Sequence, residues 1–192
     1  MLNSPTVDPL YINAYTTVTA LGAGRKATCD ALLAMRSGLT AADFESGPPT
    51  GYIGRVWGVE DVRVPQSLGD YDGRNNRLAW LGLQTDGFLL AVHQAIERHG
   101  IDRVGVVMGT STSGILSTEF AYRMRDAITG ALPKSLNLAA THNFGSLSEF
   151  VRAATGVCGP ALTISTACSS SAKAFATAAR WMQAGLLDAV IV

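Results

Sequence analysis

The 192-residue chain carries 15 basic and 15 acidic residues, so its formal net charge at neutral pH is zero. This balance provides no electrostatic attraction to nucleic acid or to an anionic membrane surface, and neither is an expected partner. Hydrophobic residues make up 47% of the chain and charged residues only 16%, against ~25% in an average soluble domain. The low charge predicts that much of the surface is buried against another domain or protein.

Cysteine usage and the N-terminal residues indicate a reducing, cytoplasmic location. Cys29, Cys158 and Cys168 are odd in number and far apart, with no Cys-x-x-Cys pair, which argues against a zinc site or a redox dithiol. Residues 1–10 lack a basic segment followed by an apolar one, as a signal peptide would require. No apolar run approaches the ~20 residues of a membrane span. We expect no metal and no membrane span.

The first half of the chain predicts a strand, two helices and an irregular segment between the helices. The strand is β-branched, the first helix has regular apolar spacing, and the segment after it is rich in Gly, Pro and Asp. A long helix follows, with an asparagine as its N-cap and Gly100 as its terminator. In order, these elements are the strand Tyr11–Ala20, the helix Arg25–Arg36, the irregular residues 40–74 with short extended pieces at Tyr52–Val56 and Val59–Val64, and the helix from Asn75 or Asn76 to His99.

The second half of the chain alternates apolar strands with helices. The predicted elements are the strand Arg103–Met108, the polar loop Gly109–Gly114, the helix Ser117–Ala131, a helix opened by the capping box Ser146-x-x-Glu149 and ended near Gly156, the strand Ala161–Ser165, the Ala-rich helix Ala172–Ala184, and the strand Asp188–Val192. Strands that are apolar throughout and joined by helices predict an α/β fold, with a mainly parallel sheet covered on both faces. The polar loop should pack near the other strand ends, which converge at one edge of such a sheet.

The most informative segment is Thr163–Ala172, where small residues surround one cysteine. Cys168 stands between a buried strand and a helix, so the chain should turn sharply there. A thiol at a helix N-terminus faces the positive end of the helix dipole, which favours the thiolate that attacks carbonyl groups, and backbone N–H groups of the same turn can receive an oxyanion. The pattern predicts a nucleophile for acyl transfer. A small buried core cysteine is the alternative that the residues leave open.

Other candidate groups have simpler interpretations. Cys29, on a helix face, and Cys158, in a Gly-flanked turn, are interpreted as structural cysteines. Gly22-Ala23-Gly24 lacks the third glycine of a dinucleotide-binding turn, and the loop Gly109–Gly114 lacks the Gly-Lys-Ser/Thr of a P-loop. Of the three histidines, two lie on the predicted long helix, and His142 is the one that could approach the sheet edge.

The turn Thr166-Ala-Cys-Ser-Ser-Ser171 resembles that of the β-ketoacyl synthases, the condensing enzymes of the thiolase superfamily. The resemblance covers nearly the whole chain, including the stretches Tyr11–Gly24, Arg103–Gly114, Phe144–Pro160 and Met182–Val192. It implies a thiolase-like fold, a mainly parallel layered βαβ sheet with helices on both faces. Residues 1–192 are then the N-terminal domain, one incomplete half of a duplicated fold whose C-terminal half is absent.

The resemblance also implies the chemistry of the parent enzyme, which belongs to fatty acid or polyketide synthesis. Cys168 would take an acyl group from an acyl carrier protein thioester, and the enzyme would then decarboxylate malonyl carrier protein and join the two fragments. The backbone N–H of Cys168 is one oxyanion donor in the family. The second donor, two catalytic histidines and a supporting lysine belong to the other half. We expect the isolated chain to be inactive or nearly so, and we expect no cofactor because decarboxylation supplies the carbanion.

Two alternative functions stand beside this interpretation, and the resemblance also implies an oligomeric state. A non-catalytic chain-length partner subunit is disfavoured by Cys168, since such subunits typically lack the cysteine. A cysteine-dependent thioester hydrolase or acyl-binding domain is the other alternative, and a hydrolase needs a histidine within hydrogen-bond reach of the sulfur, for which His142 is the candidate. The resemblance implies a homodimer in which the strand Ala161–Ser165 pairs with its twin across a two-fold axis. The unpaired edge at Val190–Val192 adds to the tendency to associate.

Overall fold

Seven strands and seven α-helices follow one another in the described part of the chain, residues 9–42 and 51–192 of a computed structural model. The strands are β1 (Val18–Thr19), β2 (Gly22–Ala23), β3 (Leu39–Ala41), β4 (Tyr52–Gly54), β5 (Val104–Gly109), β6 (Ala161–Ile164) and β7 (Ala189–Ile191). The helices are α1 (Arg25–Leu33), α2 (Arg74–Leu83), α3 (Phe88–His99), α4 (Ile115–Arg123), α5 (Leu138–Thr141), α6 (Ser146–Thr155) and α7 (Ser170–Gln183). Among the described residues, no helix is both long enough and apolar enough to cross a bilayer.

A three-stranded parallel sheet forms the centre of the fold, with β5 between β6 and β7. Val106 of β5 pairs with Ala161 of β6, and Val104 pairs with Ala189 of β7. β5 is rich in valine and buried along most of its length, the pattern of a strand that is covered on both faces. The predicted parallel sheet is confirmed, and each of its strand ends lies within one residue of the predicted position.

Helices cover both faces of this sheet, because alternate residues of β5 face opposite layers. Val104 and Val106 belong to one hydrophobic cluster with Phe150 of α6. Gly109, on the other face, lies against the first turn of α7. Phe150 is fully buried and its ring centroid lies 6.1 Å from that of Tyr71, and burial of such a side chain contributes about 1.5–3 kcal/mol. The prediction that helices cover both faces of the sheet is confirmed.

The N-terminal region departs from the predicted strand Tyr11–Ala20. Only β1 within it is a strand, and Thr19 of β1 pairs with Gly22 in an antiparallel hairpin. A β-branched run becomes a strand only where another strand edge pairs with it, and among the described residues none pairs with residues 10–17. The helix that follows ends at Leu33, three residues before the predicted Arg36.

Residues 40–74, predicted to be irregular, contain part of a second hairpin. β3 and β4 pair antiparallel, with Thr40 opposite Ile53, so the predicted extended piece Tyr52–Val56 is confirmed in its first residues. The predicted extended piece Val59–Val64 is wrong, because these residues form turns and coil in which Val59 is buried. Residues 43–50 lie outside the described residues.

The predicted long helix to His99 is two helices, α2 and α3, separated by a turn at Asp86 and Gly87. Both turn residues have left-handed backbone angles, with φ of 56° at Asp86 and 73° at Gly87. The Asp86 carboxylate accepts hydrogen bonds from the Arg25 N–H at the start of α1 and from the Thr16 hydroxyl. Burial raises the pKa of Asp86, but these hydrogen bonds outweigh it and hold the pKa below its ordinary value. The turn between α2 and α3 therefore places the carboxylate that holds the N-terminus of α1.

The helix ends in the second half of the chain also differ from the predictions. The predicted helix Ser117–Ala131 is α4, which begins two residues earlier and ends at Arg123. The prediction of a capping box at Ser146 is wrong, because the N-cap of α6 is Gly145 and no side chain caps the helix. Ser146 instead donates its hydroxyl to the Ala140 carbonyl, and Glu149 pairs with Arg152. A tertiary contact thus replaces the local cap.

A cavity of about 740 Å³ lies beside the outer edge of β7. Residues 10–16 and residues 188–192 both line it, together with one face of α3 and the α7 residues Phe175, Ala178 and Met182. β7 is the terminal strand of the sheet on this side. The cavity is therefore an open slot lined by residues 10–16 and by β7, whose outer edge pairs with no strand in the described part of the chain.

The starts of β5 and β7 are joined by an ion pair. The Arg103 guanidinium donates two hydrogen bonds, of 2.8 and 2.9 Å, to the Asp188 carboxylate. It also donates to the carbonyls of Gly185 and Leu186. The hydrogen bonds from Arg103 lower the pKa of Asp188 below its ordinary value, against a smaller opposing effect of burial.

We predict that Asp188→Asn lowers the melting temperature at pH 7 by no more than a few degrees, because both partners are substantially exposed. A carboxyl with a lowered folded-state pKa contributes stability above its unfolded pKa of about 4 and loses it as the pH falls through the folded value. The difference between variant and parent should therefore shrink in acid. Thermal unfolding at pH 7 and pH 3 tests this, with Asp61→Asn, an exposed carboxylate without an ion pair in the described residues, as the control. An undiminished difference at pH 3 would contradict the assignment.

We also predict that Gly109→Ala destabilises the chain by about 1–3 kcal/mol through overpacking. A Cβ at Gly109 would lie 2.7 Å from the Ser171 backbone N and 2.8 Å from its Cα, atoms that cannot move without shifting α7. The matched control is Gly82→Ala in α2, where the added Cβ meets nothing within 4 Å and better helix propensity should stabilise by up to ~1 kcal/mol. Urea unfolding measures both, and equal effects would refute the packing argument.

Candidate functional site

The turn between β6 and α7 carries the predicted nucleophile. β6 ends at Ile164, residues Ala167–Ser169 form one turn of 3-10 helix, and α7 begins at Ser170. Ala167 adopts a left-handed φ of 52°, a conformation that costs an L-residue about 1–2 kcal/mol. This sharp reversal brings Cys168 to the start of the helical segment, and the predicted strand–turn–helix around the cysteine is therefore present.

All three cysteines are free and exposed. The alternative of a small buried core cysteine is thus wrong for Cys168. Cys29 lies in the middle of α1 and Cys158 in the turn before β6, and neither opens a long helix. Cys168 is the cysteine that combines exposure with a position in the helical turn leading into α7.

Hydrogen bonds within the turn fix the backbone around Cys168. The Ser170 hydroxyl accepts from the Thr166 N–H at 2.9 Å and donates to the Ala167 carbonyl at 2.7 Å. The Ser169 hydroxyl donates to the Thr166 carbonyl at 2.9 Å. The residues on both sides of Cys168 are therefore tied to one another, while the sulfur itself makes no hydrogen bond within the described part of the chain.

The polar loop after β5 packs against this turn, as the sequence predicted. The Thr110 N–H donates to the Ile164 carbonyl at the end of β6 at 3.0 Å. The Thr110 carbonyl lies 3.2 Å from the Ser170 hydroxyl. Gly109 approaches the backbone of Ser171 so closely that a side chain would not fit. The end of β5 thus forms the base on which the Cys168 turn lies.

His142 contacts the same loop and the helix α4 that follows it. Its Nδ1 is 2.9 Å from the Thr118 hydroxyl of α4, and its carbonyl accepts from the Ser113 hydroxyl. The Gly114 N–H donates to the neighbouring Thr141 carbonyl at 2.9 Å. Among the described residues, no histidine is hydrogen-bonded to Cys168. The structure therefore places His142 in a contact that holds the loop, and does not pair it with the sulfur.

Two features of the site were missed in the sequence. Three consecutive serines follow Cys168, and nothing in their order indicates that Ser170 alone is buried. The left-handed backbone of Ala167 also has no sequence signal, because alanine does not favour that region. Gly109 carried a signal, as a glycine between a buried strand and a polar loop marks a close backbone approach.

Among residues 9–42 and 51–192, no group of three or more His, Cys, Asp or Glu side chains could hold a metal ion. The turn itself presents the Cys168 thiol, the backbone N–H groups that a helix start leaves without partners, and small hydroxyl side chains.

Residues 9–192 match the family described as beta-ketoacyl synthase, N-terminal domain. Comparison with curated protein sequences gave no match.

Three solved structures with a similar fold are named as ketosynthases or as a beta-ketoacyl synthase. A ketosynthase from Xenorhabdus doucetiae, solved in complex with its chain length factor, is 27% identical with a TM-score of 0.74, covering 100% of this chain and 49% of its own. A beta-ketoacyl synthase from Burkholderia phymatum is 20% identical, with a TM-score of 0.63 over 92% of this chain and 44% of its own. The ketosynthase from module 6 of the bacillaene synthase of Bacillus subtilis is 16% identical, with a TM-score of 0.56 over 91% of this chain and 29% of its own.

The chain therefore spans about half the length of the first of these ketosynthases. The family match over residues 9–192 and the shared thiolase-like α/β fold agree with the β6–α7 turn found in the structure. This chain belongs to the β-ketoacyl synthase family and corresponds to its N-terminal domain.

Proposed function

We propose that this chain is the nucleophile-bearing part of a ketosynthase and that Cys168 accepts the acyl group of an acyl carrier protein thioester. The observation that carries the proposal is the exposed Cys168 at the β6–α7 turn of a chain that matches the family over residues 9–192. The complete enzyme would then condense the acyl group with malonyl carrier protein. The three free cysteines support a reducing, cytoplasmic location.

The proposed loading step is a thioester exchange. The Cys168 thiolate attacks the thioester carbonyl carbon, and the carbonyl oxygen becomes an oxyanion near the backbone N–H of Cys168. The bond between that carbon and the carrier sulfur then breaks, and the carrier thiol leaves with a proton from solvent. Preorganised backbone donors at such a position lower the barrier because they stabilise charge that develops in the transition state.

Condensation requires groups that this chain does not place beside Cys168. His142 is bound to Thr118 and is not hydrogen-bonded to the sulfur. The family resemblance assigns two catalytic histidines and the second oxyanion donor to the other half of the enzyme. We therefore propose that the isolated chain can be acylated slowly but cannot complete the carbon–carbon bond.

The two alternative functions lack supporting geometry. A thioester hydrolase needs a histidine that activates the nucleophile or water at the sulfur, and His142 is hydrogen-bonded to Thr118 instead of to Cys168. A non-catalytic partner of the chain length factor kind is disfavoured because the cysteine is present and exposed. No contact of this turn favours fatty acid synthesis over polyketide synthesis, or the reverse.

The free edges of the sheet support an assembly proposal. β6 is the terminal strand on one side of the sheet, so it can pair with β6 of a second copy across a two-fold axis. β7 is terminal on the other side and borders the slot lined by residues 10–16. We propose a homodimer through β6, with the slot left for further polypeptide of the complete enzyme.

The loading proposal predicts that hexanoyl-acyl carrier protein transfers its acyl group to Cys168 and that no β-ketoacyl product forms after malonyl carrier protein is added. Peptide mass spectrometry and product analysis measure the two steps. Cys168→Ala should abolish labelling, whereas Cys158→Ala, which removes another exposed thiol, should leave it unchanged. Labelling at Cys158 or Cys29 would refute the assignment, and condensation at enzyme-like rates would refute the need for the other half.

The assembly proposal predicts a dimer or larger species in sedimentation velocity at micromolar concentration. Leu162→Lys should weaken the dimer, because Leu162 is 40% exposed on β6 and like charges opposed across paired strands repel. The control is Leu33→Lys on α1, an exposed leucine away from the sheet. A monomeric parent chain, or equal effects of the two variants, would contradict pairing through β6.

A further inference from the structure

Ser170, the first residue of α7, is the one buried member of the serine run that follows Cys168. It is 3% exposed, whereas Ser169 and Ser171 are both exposed. Its hydroxyl contacts three backbone groups: the Thr166 N–H, the Ala167 carbonyl and the Thr110 carbonyl, at 2.9, 2.7 and 3.2 Å. A serine hydroxyl has one proton and two lone pairs, so it accepts from Thr166 and shares its proton between the two carbonyls.

These contacts lie on the backbone that leads directly into Cys168. Thr166 has φ of −136° and ψ of 45°, and Ala167 has φ of 52°. Neither conformation is favoured for these residue types, so the turn needs an interaction that holds it. The Ser170 hydroxyl bonds to both residues at once, and its contact with Thr110 fixes the turn to the end of the central strand.

We infer that Ser170 is a positioning residue for Cys168, holding the backbone so that the Cys168 N–H and sulfur meet the same thioester carbonyl. The inference rests on the proposed function of Cys168. Without the hydroxyl, the Thr166 N–H bonds to water and the turn samples other backbone angles. The sulfur stays exposed, but its alignment with the Cys168 N–H is lost.

Two reactions of Cys168 separate this role from a purely structural one. Alkylation by iodoacetamide needs the thiolate but forms no oxyanion. Acyl transfer from a thioester needs the thiolate and the aligned N–H donor together. A positioning residue should therefore affect acyl transfer more strongly than alkylation. Loss of stability alone would change both reactions together and would also alter labelling of Cys158.

The test compares Ser170→Ala with Ser171→Ala, the same change at an exposed neighbour whose hydroxyl makes no hydrogen bond in the described residues. Hexanoyl-N-acetylcysteamine is the acyl donor, and peptide mass spectrometry follows Cys168, with Cys158 as the internal reference. We expect Ser170→Ala to slow acyl transfer by about tenfold or more while changing alkylation by less than about threefold. Ser171→Ala should behave as the parent chain.

The possible outcomes distinguish failure of the proposed function from failure of the inference on Ser170. If the parent chain is not acylated at Cys168, the proposed function fails. If the parent is acylated and Ser170→Ala matches Ser171→Ala, or slows both reactions equally, the inference on Ser170 fails alone. Should Ser170→Ala not fold, as judged by circular dichroism, Ser170→Thr and Ser170→Val replace it, because they have nearly the same shape and only threonine keeps the hydroxyl. Equal transfer by that pair would also overturn the inference.

Discussion

The close approach of β5 to the first turn of α7 is the constraint on which the rest of the site depends. Gly109 has no side chain, and this lets the backbone of Ser171 come within a distance that any Cβ would prevent. β5 is the central strand and is buried by helices on both faces, so its end is a fixed base. The turn that carries Cys168 is held on that base by packing and by the hydrogen bonds of Thr110.

The site combines an exposed reactive group with one buried anchor. Cys168 is exposed, whereas Ser170, two residues later, is buried and bonded to the backbone before the cysteine. A left-handed Ala167 costs about 1–2 kcal/mol, which is comparable to the net contribution of one or two hydrogen bonds. The hydrogen bonds of Ser170 can therefore maintain the strained turn without any contact to the sulfur. The thiol is therefore exposed while hydrogen bonds hold the backbone next to it.

The sequence predicted the features that depend on local pattern and missed those that depend on distant contacts. The apolar strands of the parallel sheet were predicted because they are buried, and Gly100 was predicted to end its helix because glycine has backbone freedom. The strand–turn–helix around Cys168 was predicted from the residues on either side of it. The break at Asp86 was missed because its carboxylate bonds to Arg25, 61 residues away. The role of Ser170 was missed because three serines in a row are equivalent until the fold buries one of them.

The outer edges of β6 and β7 differ in what lies beside them. The outer edge of β6 pairs with no strand in the described residues, so a second copy of the same strand can pair with it through a two-fold axis. The outer edge of β7 faces residues 10–16 across a slot of about 740 Å³. β6 and β7 lie on opposite sides of β5. Self-association through β6 and completion of the slot beside β7 are therefore independent, and a dimer of this chain would leave the slot open.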